Sequence, residues 1–341
     1  MGTYLVDTLR GCAKRLAHGA GGLSAYHRLR NARRLTVLAF HRVLDGADPR
    51  RDEADPEWTV TVEQLAAWVG FAKEHYQIVS LDDVIEARRS RRRLPPRPLL
   101  ITFDDGWADN EEHALPVLDA ARVPAVIFVS GDAVERKTPF WREALRAAWR
   151  GGRIDEAALR PLWSAATGAV PVRGAAGLEV LIEKMSDLTG VNRQALLGPL
   201  ESRLDDGLRH MLTASQLRRL RDRGVAVGAH GRTHEPLSAC DDLDDELLQP
   251  RRRLGALLDA PITTLALPHS RFTPEVLRRA ARAGYELVFT GEQQLSPVQP
   301  IPFAIGRIPI RGSDGLDERG RFRPDLAGLY LFRRQHLSAW T

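Results

Sequence analysis

The sequence predicts an α/β fold with a parallel sheet, either closed into a barrel or wound. Apolar runs of strand length alternate with helical stretches along most of the chain, and this alternation is typical of parallel sheets. The carboxyl ends of parallel strands meet at one edge, where α/β barrels carry their chemistry. The polar residues just past predicted strands are His41, Asp104, Asp105, His230, His234, His269 and Arg307. We therefore expect these side chains to converge on one site.

The predicted elements begin with a buried strand over 35–40, which leads into a polar loop over 44–58. Helices start at Thr61 and at Ser80, where acidic residues in the first turn suit the positive end of a helix. The second helix runs into the basic stretch 88–93, which is interpreted as a solvated helix end and linker.

An apolar run over 98–103 predicts the next strand, and a helix over 109–122 connects it to a further strand over 125–129. The alternation breaks over 132–212, which is interpreted as a mostly helical insertion that flanks or covers the site. The remaining predicted elements are a helix from Thr213, a strand over 225–229, a helix from about Asp241, a strand over 264–267, a helix over 273–283, a strand over 286–290 and an extended piece around 305–310.

Two adjacent carboxylates, Asp104 and Asp105, follow the predicted strand over 98–103. They repel each other and lose hydration there, so a structural role seldom requires such a pair. His230 and His234 follow another apolar strand, and two imidazoles with one carboxylate leave open positions on a divalent metal. The sequence therefore predicts Asp105, His230 and His234 as metal ligands. Asp104 is predicted to be the general base that takes a proton from a metal-activated water.

The sequence Thr-Phe-Asp-Asp-Gly at 102–106, together with His-Gly-Arg-Thr-His at 230–234, resembles the polysaccharide deacetylases, the NodB-type family-4 carbohydrate esterases. Phe-His-Arg-Val at 40–43 and Trp141 after Pro-Phe resemble the subgroup linked to bacterial surface-glycan and exopolysaccharide synthesis. The resemblance extends over about 35–309. It implies a deformed (β/α)7 barrel and the metal-dependent removal of acetyl groups, usually from N-acetylhexosamines. It also implies the same base and the same ligands that the residues themselves indicate.

The chain departs from the family pattern around the second motif and the later strands. Gly231 stands where the second motif usually has Ser or Thr, and the groove motif Arg-x-Pro is represented by Pro268 without its Arg. The Leu-x-His motif that supplies the usual general acid is not apparent near the last strand. His41 and His269, both at strand ends, are the candidates for this acid. A packed, hydrogen-bonded core histidine is the alternative for each.

Three further residues are predicted to contact the substrate. Pro268 would lie in the groove, as the resemblance implies. Trp107 would wall the acetyl pocket, and its backbone N–H could help to hold the oxyanion, with a plain core tryptophan as the alternative. Arg307 would orient a catalytic carboxylate or contact the substrate, with a structural ion pair as the alternative.

The composition limits the classes of binding partner and the cellular locations that we expect for this protein. The formal net charge of +5 permits an anionic partner without requiring one, and no nucleic-acid module is apparent. Cys12 and Cys240 cannot build a disulfide framework or a cysteine metal site. No segment has the apolar length of a signal peptide core or a membrane span, so a cytoplasmic location is expected. A basic amphipathic stretch over 4–35 leaves peripheral contact with the inner face of the membrane open.

The acids that open the helix from Asp241, Glu246 among them, complement the helix dipole and receive no functional role.

We divide the chain into a basic helical segment over 1–34, a catalytic domain over 35–311 that includes the insertion at 132–212, and a C-terminal extension over 312–341. The predicted function is a hydrolase that removes acetyl groups from N-acetylated sugars of a bacterial polysaccharide or its precursor. Zn²⁺ is the expected metal, although Co²⁺, Ni²⁺, Mn²⁺ and Fe²⁺ tolerate such ligands. The oligomeric state stays open.

Three alternatives remain at this point. A metal-dependent amidohydrolase or O-acetyl esterase on a different substrate would keep the fold and the metal. Two histidines and a carboxylate also form the site of non-haem iron oxygenases, although those usually sit on a β-sandwich-type scaffold. A non-catalytic glycan-binding protein would keep the metal, but binding alone requires no base such as Asp104.

Overall fold

The computed structural model describes residues 31–168, 173–333 and 336–337, and the segment predicted over 1–34 lies almost entirely outside them. The strands are β1 (Arg34–Phe40), β2 (Arg42–Leu44), β3 (Thr59–Thr61), β4 (Gln77–Ile78), β5 (Pro98–Phe103), β6 (Ala125–Val129), β7 (Val225–Ala229), β8 (Thr264–Ala266), β9 (Leu287–Phe289), β10 (Gln294–Pro297), β11 (Ala304–Ile305), β12 (Ile308–Pro309) and β13 (His336–Leu337). The α-helices are α1 (Val62–His75), α2 (Leu81–Arg88), α3 (Leu115–Ala121), α4 (Trp141–Arg150), α5 (Glu156–Thr167), α6 (Gly174–Ser186), α7 (Gly190–Leu197), α8 (Glu201–Leu204), α9 (Ala214–Asp222), α10 (Leu243–Leu258), α11 (Pro274–Arg282) and α12 (Pro324–Arg333). A π-helical turn covers Asn110–Ala114, and 3₁₀ turns cover Gly131–Ala133, Gly198–Leu200 and Pro268–Ser270.

The first two helices begin where the sequence predicts them. The Thr61 hydroxyl caps α1 by accepting a hydrogen bond from the Gln64 N–H, and the Gln64 side-chain oxygen accepts one from the Thr61 N–H. Ser80 and Asp83 form the same reciprocal arrangement at the start of α2. Each capping box satisfies backbone donors that a helix leaves unpaired at its start.

The main sheet closes into a barrel. Strands β1, β5, β6, β7, β8 and β9 pair in parallel in that order. One interrupted strand completes the circle, because β11 pairs with β9 and β12 pairs with β1. Counting that segment once gives seven strands, so the predicted deformed (β/α)7 barrel is confirmed. Outside the circle, β10 adds antiparallel to β1 and β4 adds parallel to β5.

Gly306 and Arg307 form the interruption between β11 and β12. A Cβ atom on Gly306 would lie 2.2 Å from the Gln294 Cγ and 2.5 Å from the Glu292 carbonyl oxygen, so the backbone passes there only as glycine. The Arg307 N–H donates to the same Glu292 oxygen at 3.0 Å. This break allows the Arg307 side chain to reach Thr102 and the end of β5.

The barrel has an inner and an outer apolar layer, because successive residues of a strand point to opposite faces. In β5, Leu99 and Ile101 pack in the cluster that includes the surrounding helices, whereas Leu100 belongs to a second cluster with Phe128 and Phe289. The Phe128 and Phe289 rings lie 5.0 Å apart. Alternation from Leu100 therefore places Asp104, four residues on, toward the mouth of the barrel.

Helices α4 to α8 occupy the region predicted to be a mostly helical insertion. They enclose an apolar core of their own, which contains Leu145, Leu159, Trp163, Leu181 and Met185. The insertion therefore packs around an apolar core that is separate from that of the barrel.

The described part of the predicted C-terminal extension packs on the barrel rather than away from it. Phe322 lies edge-on to Trp68 of α1, with ring centroids 5.4 Å apart. The Tyr330 hydroxyl donates to the Pro309 carbonyl oxygen at 2.6 Å. Within the residues that the structure describes, no helix is both long and apolar enough to cross a bilayer.

Candidate metal centre

The three predicted ligands meet at the carboxyl end of the barrel. Asp105 Oδ1 lies 3.0 Å from His234 Nε2 and 3.3 Å from His230 Nε2, and all three side chains are buried. Asp105 follows β5 and His230 follows β7, so parallel strands deliver both from the same edge. The three ligand atoms lie within 4.8 Å of one another, a spacing at which one cation can contact all of them.

The surroundings orient these atoms for a cation. His230 Nδ1 lies 3.0 Å from the Ala266 carbonyl oxygen, so Nδ1 carries the proton and Nε2 is left to bind. The Trp107 indole N–H donates to Asp105 Oδ2 at 2.8 Å and leaves Oδ1 for the metal. Apart from the two imidazole Nε2 atoms at 3.0 and 3.3 Å, the buried Asp105 Oδ1 has no neighbouring donor among the described residues. A divalent cation between the three atoms would satisfy this oxygen without requiring a proton on either Nε2. The residues therefore fit a metal ion.

Electrostatics keep the carboxylate ionised. Burial by itself would raise the pKa of Asp105, but His234 and His230 outweigh it and hold this pKa well below its usual range. Burial lowers the pKa of His234, yet Asp105 more than offsets it, so this pKa is raised. An ionised Asp105 is the form that a divalent cation requires.

Backbone strain accompanies the site. Asp105, His234 and His269 all have left-handed φ angles, at +78°, +67° and +54°. For residues with a side chain this conformation costs roughly 1–2 kcal/mol each, and it persists only where the surroundings hold it. The residue types give no indication of this strain, so it could not be predicted from the sequence.

Glu246 of α10 holds the loop between the two histidines. Its Oε2 accepts from the Arg232 N–H at 2.7 Å and from the Thr233 N–H at 3.1 Å, and its Oε1 accepts from the Thr233 hydroxyl at 2.5 Å. Glu246 is buried, so these bonds replace its hydration. Glu246 does lie in the first turn of α10, as the dipole pattern predicts, and its bonds to the histidine loop add a structural role that the sequence did not indicate.

Gly231 lies against this carboxylate and offers a stability prediction. Its φ is +69°, and an added Cβ would lie 3.1 Å from Glu246 Oε2 and 3.3 Å from Pro268 Cγ. Gly231→Ala is therefore expected to cost about 1–2 kcal/mol of unfolding free energy for the left-handed backbone, and more for the two contacts. Gly152→Ala is the matched control, because Gly152 has φ +68° with nothing within 4 Å. Denaturant unfolding of both variants separates the contributions, and an equal cost would show that the contacts do not matter.

Asp104 and Arg307 form a buried ion pair beside the ligands. Arg307 Nη1 donates to Asp104 Oδ1 at 2.6 Å and Arg307 Nη2 donates to Asp104 Oδ2 at 2.7 Å. Burial would raise the pKa of Asp104, but Arg307 and His230 more than offset it, so the pKa is lowered. This pair is the contact expected if Arg307 orients Asp104, and it is also the structural ion pair named as the alternative.

The two candidate acids face the same cavity, of about 760 Å³. His269 lies beside His234, with ring centroids 4.6 Å apart, and its Nε2 donates to the His234 carbonyl oxygen at 3.0 Å. The His41 ring lies 4.7 Å from that of Trp58, and its Nδ1 has no partner among the described residues. Burial lowers the pKa of His41 and holds the pKa of His269 well below its usual range. Both rings are therefore neutral near pH 7.

Trp107 is buried, and most of its surface contacts other residues around the metal ligands. Besides its bond to Asp105, its ring lies under the Arg42 guanidinium, 4.4 Å from the ring centroid. Arg42 in turn donates to Asp109 at 3.0 Å. Trp107 also contributes to the lining of the cavity. Pro268 is buried and is not among the residues that line this cavity; it lies where a Cβ added to Gly231 would come within 3.3 Å of its Cγ.

The insertion forms the wall of the cavity opposite the barrel. The sequence did not indicate which residues of the insertion would line this wall. Arg142, Glu143 and Arg146 of α4 line it together with Ile182 and Glu183 of α6. Glu143 Oε2 is buried and has no hydrogen-bond partner in the part of the chain that the structure describes. Burial raises the pKa of Glu143.

Comparison with known proteins identifies the family. The polysaccharide deacetylase model matches residues 91–288, more than half of the chain, so the protein belongs to that family. The fold resembles Streptococcus pyogenes deacetylase PplD, solved in complex with acetate, with 15% identity over 89% of this chain and 98% of that one, at a TM-score of 0.55. Ammonifex degensii IcaB shares 17% identity over 88% of this chain and 97% of its own, at a TM-score of 0.54.

One relative has more local identity. The poly-β-1,6-N-acetyl-D-glucosamine N-deacetylase of Escherichia coli K12 is 31% identical over 90 residues, which are 26% of this chain. The match spans only 13% of the length of that relative.

Proposed function

We propose that this protein is a metal-dependent hydrolase that removes acetyl groups from N-acetylated sugars of a bacterial polysaccharide or its precursor. The observation that carries this proposal is the pair of adjacent carboxylates with different partners. Asp105 faces His230 and His234, whereas Asp104 is turned to Arg307. A binding site for metal alone would not require the second carboxylate.

The two carboxylates divide the work. A divalent cation held by Asp105, His230 and His234 would supply a water of lowered pKa and polarise the acyl carbonyl. Asp104 would take a proton from the attacking water, and Arg307 would keep the Asp104 carboxylate ionised and in one orientation. His41 and His269 have lowered pKa values, so either would act as the acid by taking from Asp104 the proton that Asp104 removed from the water. The proton then goes to the leaving nitrogen.

Zn²⁺ is the metal that we propose for the site. Its preferred ligands include imidazole nitrogen and carboxylate oxygen, and catalytic zinc sites use three protein ligands with an open position. Co²⁺, Ni²⁺, Mn²⁺ and Fe²⁺ accept the same atoms. The barrel argues against the non-haem iron oxygenase, because such sites usually sit on a β-sandwich-type scaffold. The mechanism of an oxygenase would also give Asp104 and Arg307 no role.

The substrate proposal draws on the family and on the cavity. The relative from Escherichia coli is named as an N-deacetylase of poly-β-1,6-N-acetyl-D-glucosamine, and an N-acetylhexosamine is the corresponding unit that we propose for this chain. The cavity volume of about 760 Å³ is within the usual range for a bound small ligand and leaves room for a sugar unit. An O-acetyl ester or a non-sugar amide is the second candidate, because the missing groove Arg leaves the recognition of the sugar less defined.

The test is acetate release from a panel of substrates by the zinc-loaded protein. We expect release from N-acetylglucosamine oligomers and little from O-acetylated xylan or simple anilides. Release from the esters or anilides alone would replace the sugar N-deacetylase by the second candidate. No release from any acetylated compound, with metal bound, would favour the non-catalytic glycan-binding protein.

A further inference from the structure

We infer that Glu235 is a positioning residue for the metal ligand His234, and that through it the helical insertion is fastened to the metal centre. The inference rests on the proposed metal site. Glu235 follows the family motif, and its partners Arg142 and Arg193 lie in the insertion, outside every motif noted in the sequence; Trp141 is the one partner noted there, as a feature of the subgroup.

Three side chains of the insertion converge on the Glu235 carboxylate. Arg193 of α7 contacts Oε1 at 2.5 Å, the Trp141 indole N–H donates to Oε1 at 3.2 Å, and Arg142 donates to Oε2 at 3.4 Å. Arg142 and Arg193 are both buried. Two buried guanidinium groups therefore depend on this carboxylate for charge compensation, and a buried charge is costly without a partner.

Aromatic contacts stiffen the same cluster. The Arg142 and Arg193 guanidinium groups lie 4.4 Å and 4.8 Å from the Trp141 ring centroid, within the range of cation–π contacts. Phe140, the residue before Trp141, stacks on the His234 ring at 4.1 Å with an interplanar angle of 21°. The start of α4 thus contacts both the ligand ring and the residue that follows it.

The strained backbone explains why such an anchor is needed. His234 has φ +67°, which a residue with a side chain adopts only when its neighbours hold it. Glu246 holds residues 232 and 233 on one side of His234. Glu235 and its partners hold the other side. Loosening this second side would let the backbone relax and would move His234 Nε2 away from Asp105.

The test is metal affinity, measured without substrate. Glu235→Gln keeps the size of the side chain but removes its charge, and we expect about 10–100-fold weaker Zn²⁺ binding by competition with a chelating dye. The absorption spectrum of the Co²⁺-loaded variant should also change, because it reports ligand geometry. Glu286→Gln is the matched control, since it breaks a bidentate Arg89 pair outside the cavity, and its affinity should stay as in the wild type.

A double-mutant cycle with Arg193→Met adds a second criterion. If Arg193 acts through Glu235, the two changes together should weaken Zn²⁺ binding by much less than the product of the single effects. If Glu235→Gln does not fold, Trp141→Phe removes one donor only and should still weaken binding, by a smaller factor. Wild-type affinity and an unchanged Co²⁺ spectrum in a folded Glu235→Gln variant would overturn the inference. Failure of the wild type to bind any metal would instead remove the proposed function.

Discussion

The double variant His230→Ala/His234→Ala is expected to bind no metal and to release no acetate. It leaves Asp105 as the single remaining member of the three-ligand group, and one carboxylate does not retain a divalent cation against a chelator. Elemental analysis of the purified proteins checks this. We expect about one metal ion per wild-type chain and none in the variant.

His113→Ala is the control for this experiment, because His113 belongs to a second group of possible ligands with Asp48 and Glu112. Arg50 already occupies that group, with Nη2 at 2.5 Å from both Asp48 Oδ2 and Glu112 Oε2. A cation there would meet a like charge, so His113→Ala should keep its metal. Metal retained in the double variant, or lost in His113→Ala, would contradict the assignment.

Asp104→Asn is expected to reduce turnover by about 10²–10⁴-fold while the metal stays bound. The amide matches the shape of the carboxylate but cannot take a proton from water. Asp104 is not a member of the ligand group, so its replacement removes no metal contact. Turnover and metal content are measured on the same preparation, so that the loss of a base is distinguished from the loss of the ion.

Asp325→Asn controls for the loss of charge at a buried aspartate that forms an ion pair. Asp325 is buried and pairs with Arg323 at 3.1 Å, but it does not line the cavity. Its variant should lose some stability and keep full turnover. Undiminished turnover in Asp104→Asn would rule out the base, and loss of metal in that variant would show that Asp104 is itself a ligand.

The sequence predicted the parts of this site that lie next to one another along the chain. Asp104 and Asp105 follow β5 directly, and His230 follows β7, so the order of strands already placed them at one edge. The helix starts at Thr61 and Ser80 were also predictable, because a capping box forms between residues three apart. Gly231 was visible as a departure from the family motif, but its φ of +69° beside Glu246 was not.

Other contacts had no local signal. Arg307 follows Asp104 by 203 residues, and their pairing depends on the interruption between β11 and β12 at Gly306. The carboxylate of Glu246 sits among acids that suit a helix start, so its bonds to the histidine loop could not be separated from the dipole pattern. Nothing near Glu235 in the sequence distinguishes it from other acidic residues, because its partners in α4 and α7 lie far away along the chain.

The sequence by itself indicated the α/β class through its 2-residue and 3.6-residue periods. Its short motifs indicated the barrel, through the family resemblance, and the candidates Asp104, Asp105, His230 and His234, because such motifs are written in neighbouring positions. Only the tertiary structure decided which charged groups hold these four side chains in place. Each of these pairs joins residues far apart in the chain, and buried charges acquire a partner only when packing brings the two side chains together.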